Sequence, residues 1–123
     1  MSEIRKVGRE RLYLLEEDGP VVASPEDVLD LVAQLWGLAD QVDRLALPVS
    51  RLDPAFFDLR TGLAGAVLQK LVQYQVPVVV LGDLAEHEAR SASFAAFVTE
   101  SNAGRHVWFA RDLDALAERL GAR

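Results

Sequence analysis

The chain has 123 residues, of which 50% are hydrophobic and 26% charged. That composition predicts one globular domain over residues 1–123 and excludes a disordered chain. Cysteine is absent, which excludes disulfides, thiolate metal centres, iron–sulfur clusters and cysteine nucleophiles. Thirteen basic against nineteen acidic side chains give a charge of −6 with no basic stripe, so nucleic acid is not an expected partner. No apolar run reaches the roughly 18 residues of a membrane span, and the start MSEIRKVGRERLYLLEEDG has no apolar h-region. The expectation is a cytoplasmic protein with no membrane partner.

Residues 1–62 carry seven basic and twelve acidic groups, a balance of −5, whereas residues 63–123 stand at −1 with six and seven. Glu16-Glu17-Asp18 and Glu26-Asp27 supply most of the difference, as a hairpin end and a helix start. In chain order, Ile4 and Val7, then Leu12 to Leu15, read as two antiparallel strands about a Gly8 turn. Ser24-Pro25-Glu26-Asp27 predicts a helix start with Ser24 as N-cap and proline at the first position. Val28, Leu31, Val32, Leu35, Leu38 and Ala39 then follow helical spacing to about Asp40.

Arg44 to Leu47 is a brief strand ended by Pro48, and Asp53-Pro54 opens a helical turn bearing Phe56 and Phe57. Leu63, Ala64, Val67, Leu68, Leu71 and Val72 predict an amphipathic helix through about Tyr74. Val76 to Leu81 is the most apolar run, fit for a central strand with Pro77 at its beginning. Gly82 to Ser93 reads as a polar loop. A helix from Phe94 closes at Asn102-Ala103-Gly104, Val107 to Phe109 is a strand, and Asp112 to Leu120 a final helix. Val78, Val80, Leu68, Leu71 and Val107 are the expected core.

Strands separated by single helices imply a mostly parallel sheet. Ligands of such sheets collect at the carboxyl ends of the strands, here Pro48 to Asp58, Gly82-Asp83 and Ala110-Arg111. Asp58, Arg60, Thr61 and Gly62 are the leading candidates, because a hydroxyl before a glycine at a helix start is either a cap or a phosphoacceptor. Asp83 is a candidate acid at the next strand end. Ser91, Glu100 and Asn102 are secondary polar candidates. His87 between Glu86 and Glu88 lacks a second histidine at ligand spacing, so neither a metal nor a cofactor is expected. Trp36 and Trp108 read as core or interface aromatics.

Phe56-Phe57-Asp58-Leu59-x-Thr61-Gly62-Leu63-Ala64-Gly65-x-x-Leu68-Gln69-Lys70, with Tyr74, Gly82-Asp83 and Phe97-x-x-Glu100-Ser101-Asn102-x-Gly104, resembles a small bacterial family, domain of unknown function 4180. The resemblance covers nearly the whole chain, with Arg60 and Gln73 standing where the family carries serine and asparagine. The element order is also similar to STAS domains of anti-sigma-factor antagonists, in which a serine between an acid and a glycine accepts phosphate. Asp58-Leu59-Arg60-Thr61-Gly62 has one residue more between acid and hydroxyl. These likenesses imply an α/β, STAS-like fold: a mixed, mostly parallel sheet, an N-terminal antiparallel hairpin and about four helices. The expected function is regulatory or protein-interacting, with a protein partner or self-association and a switch at Thr61. A small-molecule binder or enzyme at the strand ends is the alternative. A homodimer using Trp36 and Phe56-Phe57 is the second.

Overall fold

The computed structural model describes residues 2–38 and 40–121. These form β1 (Glu3–Val7), β2 (Glu10–Leu14), α1 (Asp27–Trp36), β3 (Arg44–Pro48), α2 (Leu63–Gln73), β4 (Val78–Leu81), α3 (Ala85–Arg90), α4 (Ala92–Ala103), β5 (Val107–Ala110) and α5 (Leu113–Gly121). Three 3₁₀ turns, Val49–Arg51, Pro54–Phe57 and Leu59–Thr61, lie between β3 and α2. The sheet runs in chain order, β1-β2-β3-β4-β5. Only the β1–β2 pair is antiparallel, as the hairpin pattern predicts. None of the described helices is long and apolar enough to cross a membrane.

The sequential order fixes the layers. Each parallel strand is added on the same side of its predecessor, so right-handed crossovers place the intervening helices on one face. Leu45, Leu47, Val78, Val80 and Phe109 of the sheet pack there with Val28, Val32, Val67, Leu71 and Phe94. Side chains alternate across a strand, and the opposite set, Leu12, Ala46, Val79 and Trp108, meets Leu116 and Leu120 of α5. A five-stranded sheet is about 19 Å wide between its outer axes and a helix about 10 Å across. One helix therefore guards the second face without blanketing it.

Four expected core residues, Val78, Val80, Leu68 and Leu71, are buried; Val107 on the last strand is only half-buried. The α1 start differs from the Ser24 cap. The Asp27 carboxylate accepts from the Ser24 and Ala23 amides, at 3.2 and 2.8 Å, and tightens residues 24–26 into a turn before the helix. Helix α1 ends at Trp36; Ala39, which its spacing places on the same stripe, lies outside the described residues. The expected loop after Gly82 contains α3 instead. Asp83 caps it by accepting from the Ala85 amide at 2.9 Å. Buried Leu84 and the His87 ring, stacked on Phe57 at 4.1 Å, anchor it. Its own polarity, which suggests a loop, belongs to a helix with no buried residue.

Two polar devices hold the sheet. Arg44, only 4% exposed, opens β3. Its Nε donates to Glu10 at 2.8 Å, and its Nη groups donate to the carbonyls of Val78, Arg105 and His106. Its guanidinium lies 3.6 Å from the Trp108 ring centroid, with that of Arg119 at 3.9 Å from the same ring. Burial and then the Arg44 charge push Arg119 below its ordinary range, while Glu10 acts in the opposite sense.

The second device is Asn102, whose Oδ1 accepts from the Phe109 amide at 2.7 Å. That amide is on a sheet-edge strand, where an unpaired donor invites strand addition. Asn102→Ala is expected to cost about 1–3 kcal/mol, and Asn102→Asp, which keeps an acceptor, to recover most of it. Urea melts of the two variants check this, and equal midpoints would remove the role.

Helix α2 ends without a glycine. Gln75 takes the left-handed conformation at φ 59°, and the Val76 amide donates back to the Leu71 carbonyl at 2.9 Å in a Schellman closure. Gln75→Gly should raise stability by about 0.5–1 kcal/mol, the relief of left-handed strain less the added freedom of the unfolded chain.

Candidate functional site

At the carboxyl edge of the sheet, the chain leaving β4 turns to the face that carries α4, and the chain leaving β5 turns to the α5 face. Loops that diverge from neighbouring strands open a crevice between them. Gly82, with φ 153°, makes the turn possible; a Cβ there would overlap the Val49 side chain. On the α4 side lies a cavity of about 370 Å³ lined by Asp83, Glu88, Thr99, Asn102 and Arg111. On the α5 side a larger depression of about 470 Å³ has Leu14, Pro48, Leu81 and Leu113 as its floor and Glu17 and Asp114 on its rim. Gly82 and Arg111 belong to both. The expected convergence of Gly82-Asp83 with Ala110-Arg111 is present.

Asp58, Arg60, Thr61 and Gly62 line neither cavity. They form a separate knuckle built from the 3₁₀ turns. Asp53 accepts from the Ala55 amide at 2.9 Å and starts the turn that buries Phe56 and Phe57. Asp58 accepts from the Arg60 amide at 3.1 Å and from its guanidinium at 3.0 and 2.9 Å. The Arg60 side-chain bonds, then its backbone N–H, hold the Asp58 carboxyl below the usual carboxylate range. Gly62, at φ 78°, is the N-cap of α2 and contributes no side chain. Thr61, the expected cap, therefore stands one residue before the observed one.

Thr61 is exposed, yet its hydroxyl is engaged. Oγ1 lies 2.7 Å from the Ala55 carbonyl and 2.8 Å from that of Asp58, sharing its one proton between them. It also accepts from the Leu63 amide at 3.2 Å. A single side chain thus ties the aromatic turn, the following turn and the first residue of α2. Among the described residues, no hydrogen bond or ion pair joins Asp58, Arg60 or Thr61 to Asp83.

The secondary candidates divide. Ser91 caps α4 by accepting from the Phe94 amide at 3.1 Å. Asn102 guards β5 and reaches the α4-side cavity, whereas Glu100 is exposed without a hydrogen-bond partner among the described residues. No group of three or more His, Asp or Glu among them is placed to hold a metal. Phe56 and Phe57 are buried, which removes them from any dimer patch; Trp36 is 71% exposed. Thr99 and Glu88 of the crevice carried no sequence signal, because their approach to Arg111 depends on the packing of α3 and α4 beside β5.

No curated protein and no solved structure matches the chain, so the STAS likeness rests on element order alone. A match to the domain of unknown function DUF4180 spans residues 8–120, from the β1–β2 turn into α5. The aromatic turn, the Thr61 knuckle, the Gly82 crevice and the Asn102 edge guard all lie inside it, and the chain belongs to that family.

Proposed function

We propose that the chain is a regulatory protein-interaction domain of the cytoplasm, switched by phosphorylation of Thr61. The observation that carries this reading is the position of its hydroxyl: exposed to a partner enzyme, yet holding three chain segments together. A partner kinase would transfer the terminal phosphoryl of a nucleoside triphosphate to Oγ1, release the diphosphate and take up the hydroxyl proton. The modified oxygen can no longer donate to Ala55 and Asp58. The phosphate instead offers acceptors to the first α2 amides, which the helix ladder leaves unpaired, with Arg60 alongside. The knuckle opens and gains close to two negative charges.

Thr61→Ser keeps the donor and should melt and bind partners like the parent. Thr61→Asp removes the donor, adds charge, and should cost about 0.5–2 kcal/mol while changing the proteins retained in a pull-down from native lysate. Phosphate on Thr61 in the natively purified protein, found by mass spectrometry, supports the switch. Identical binding by both variants with no phosphate on Thr61 defeats it.

A small-molecule site is the second reading, favoured by the side chains of Asp83, Asn102 and Arg111 around the crevice. Arg111→Ala would then abolish ligand-induced thermal shifts and leave the Thr61 variants' behaviour unchanged.

A further inference from the structure

The two edges of the sheet are finished differently. At β5 the Asn102 side chain occupies the Phe109 amide. At β1, among the described residues, nothing outside β2 bonds to the strand's backbone, and Glu3 to Lys6 are all exposed. We propose that this free edge pairs antiparallel with β1 of a second copy, in a register centred on Ile4. Two five-stranded sheets would then join into one. Nothing in the contact involves Thr61 or the Gly82 crevice.

Symmetry selects the register. Antiparallel neighbours related by a two-fold axis through the sheet have one residue facing itself, and like charges directly opposite repel. Centres at Glu3, Arg5 or Lys6 set a charge against its own copy, and a centre at Val7 sets Arg5 against Arg9. A centre at Ile4 sets isoleucine against isoleucine, and Glu3 against the partner's Arg5 on both sides of the axis. Within each copy Glu3 already accepts from Arg5 at 3.1 and 2.8 Å. The four groups therefore alternate in sign around the axis, each carboxylate between two guanidinium groups.

The face that carries α1 supplies a second match. Side chains alternate along a strand, and Ile4 lies opposite Tyr13, which packs on the core of that face. Ser2, Ile4 and Lys6 therefore share it. In the Ile4-centred register, Lys6 of each copy stands opposite Ser2 of the other. Ser2 lines a cavity of about 350 Å³ together with Asp27 and Asp30 of α1. Asp30 is exposed, and its carboxylate has no hydrogen-bond or ion-pair partner among the described residues. The partner's Lys6 thus arrives beside an unpaired acid. Lysine on an edge strand ordinarily discourages pairing; here it forbids one register and is accommodated by another. A ladder over residues 2–6 falls well short of the roughly 20–30 residues a side of a stable interface, so the association is reversible.

Sedimentation velocity of the whole protein, from micromolar to millimolar concentration, should show a monomer–dimer equilibrium. Glu3→Arg and Arg5→Glu, both at exposed positions, should each weaken it about tenfold or more while melting like the parent in dilute solution. Mixing the two variants should recover the dimer, because every cross-strand pair is then of opposite sign. The double variant Glu3→Arg/Arg5→Glu should recover it alone. Ile4→Cys, in a chain without cysteine, should cross-link under mild oxidation, since directly opposed strand residues have Cα atoms about 4.5–5.5 Å apart, within disulfide reach. The proposal is overturned if the parent stays monomeric throughout, or if the dimer survives both charge reversals, as it would were Trp36 the interface. It is also overturned if the charge-swapped pairings fail to recover a dimer that the single variants lose.

Discussion

Arg44→Ala is expected to lower stability by about 3–5 kcal/mol, the cost of stripping one partner from a buried ion pair. Glu10 would keep its charge in a part-buried place, and the carbonyls of Val78, Arg105 and His106 would lose a donor. The stacking on Trp108 would go as well. Arg44→Met separates the contributions, because it retains much of the volume over the indole but none of the hydrogen bonds. If packing dominates, Met restores most of the loss in a denaturant titration; if the charge network dominates, it restores little. Combining Arg44→Met with Glu10→Leu removes both partners and should recover stability relative to Arg44→Met alone. An unchanged midpoint for Arg44→Ala would refute the account of β3 given above.

Phe94→Ala should cost a comparable 3–5 kcal/mol by emptying the centre of the main core, as an order of magnitude for a buried ring. Phe94 is fully buried. Its ring centroid lies 5.9 Å from Phe57, 6.1 Å from His87, 6.4 Å from Phe97 and 6.3 Å from Phe109. One residue of α4 thus supports the aromatic turn, α3 and β5 together. Hydrogen exchange should therefore quicken in α3 before it quickens in α2, since α3 has no buried residue of its own. Uniform quickening across both helices would contradict the role assigned to Phe94.

The sheet was legible in the sequence because its central strands are covered on both sides: Leu45 to Leu47 and Val78 to Val80 are uninterrupted apolar runs. The hairpin was legible from Gly8. What escaped was structure whose cause lies in another segment. Helix α3 looks like a loop because its apolar support is Phe57 and Phe94, far away in the chain. Arg44 looks like the solvated start of a strand because its countercharge and carbonyl partners come from three other strands or their approaches. At the candidate site, Asp83 and Arg111 were placed together by topology alone. The knuckle was not brought to them, since Asp53, Asp58 and Thr61 spend their hydrogen bonds on consecutive 3₁₀ turns that a helical spacing rule does not describe.

The lone helix behind the sheet has a consequence for how the protein is made. Synthesis proceeds from the amino terminus, and strands that pair only with their immediate predecessors can assemble as they leave the ribosome. Leu12, Ala46, Val79 and Trp108 would all be in place while their cover, Leu116 and Leu120, was still inside the exit tunnel. For that interval the nascent domain presents a bare apolar wall. Loss of the Leu116 and Leu120 side chains would leave that wall uncovered and prolong a state prone to capture by holdase chaperones. The helix that follows the last strand of the sheet is the one that makes its exposed face safe.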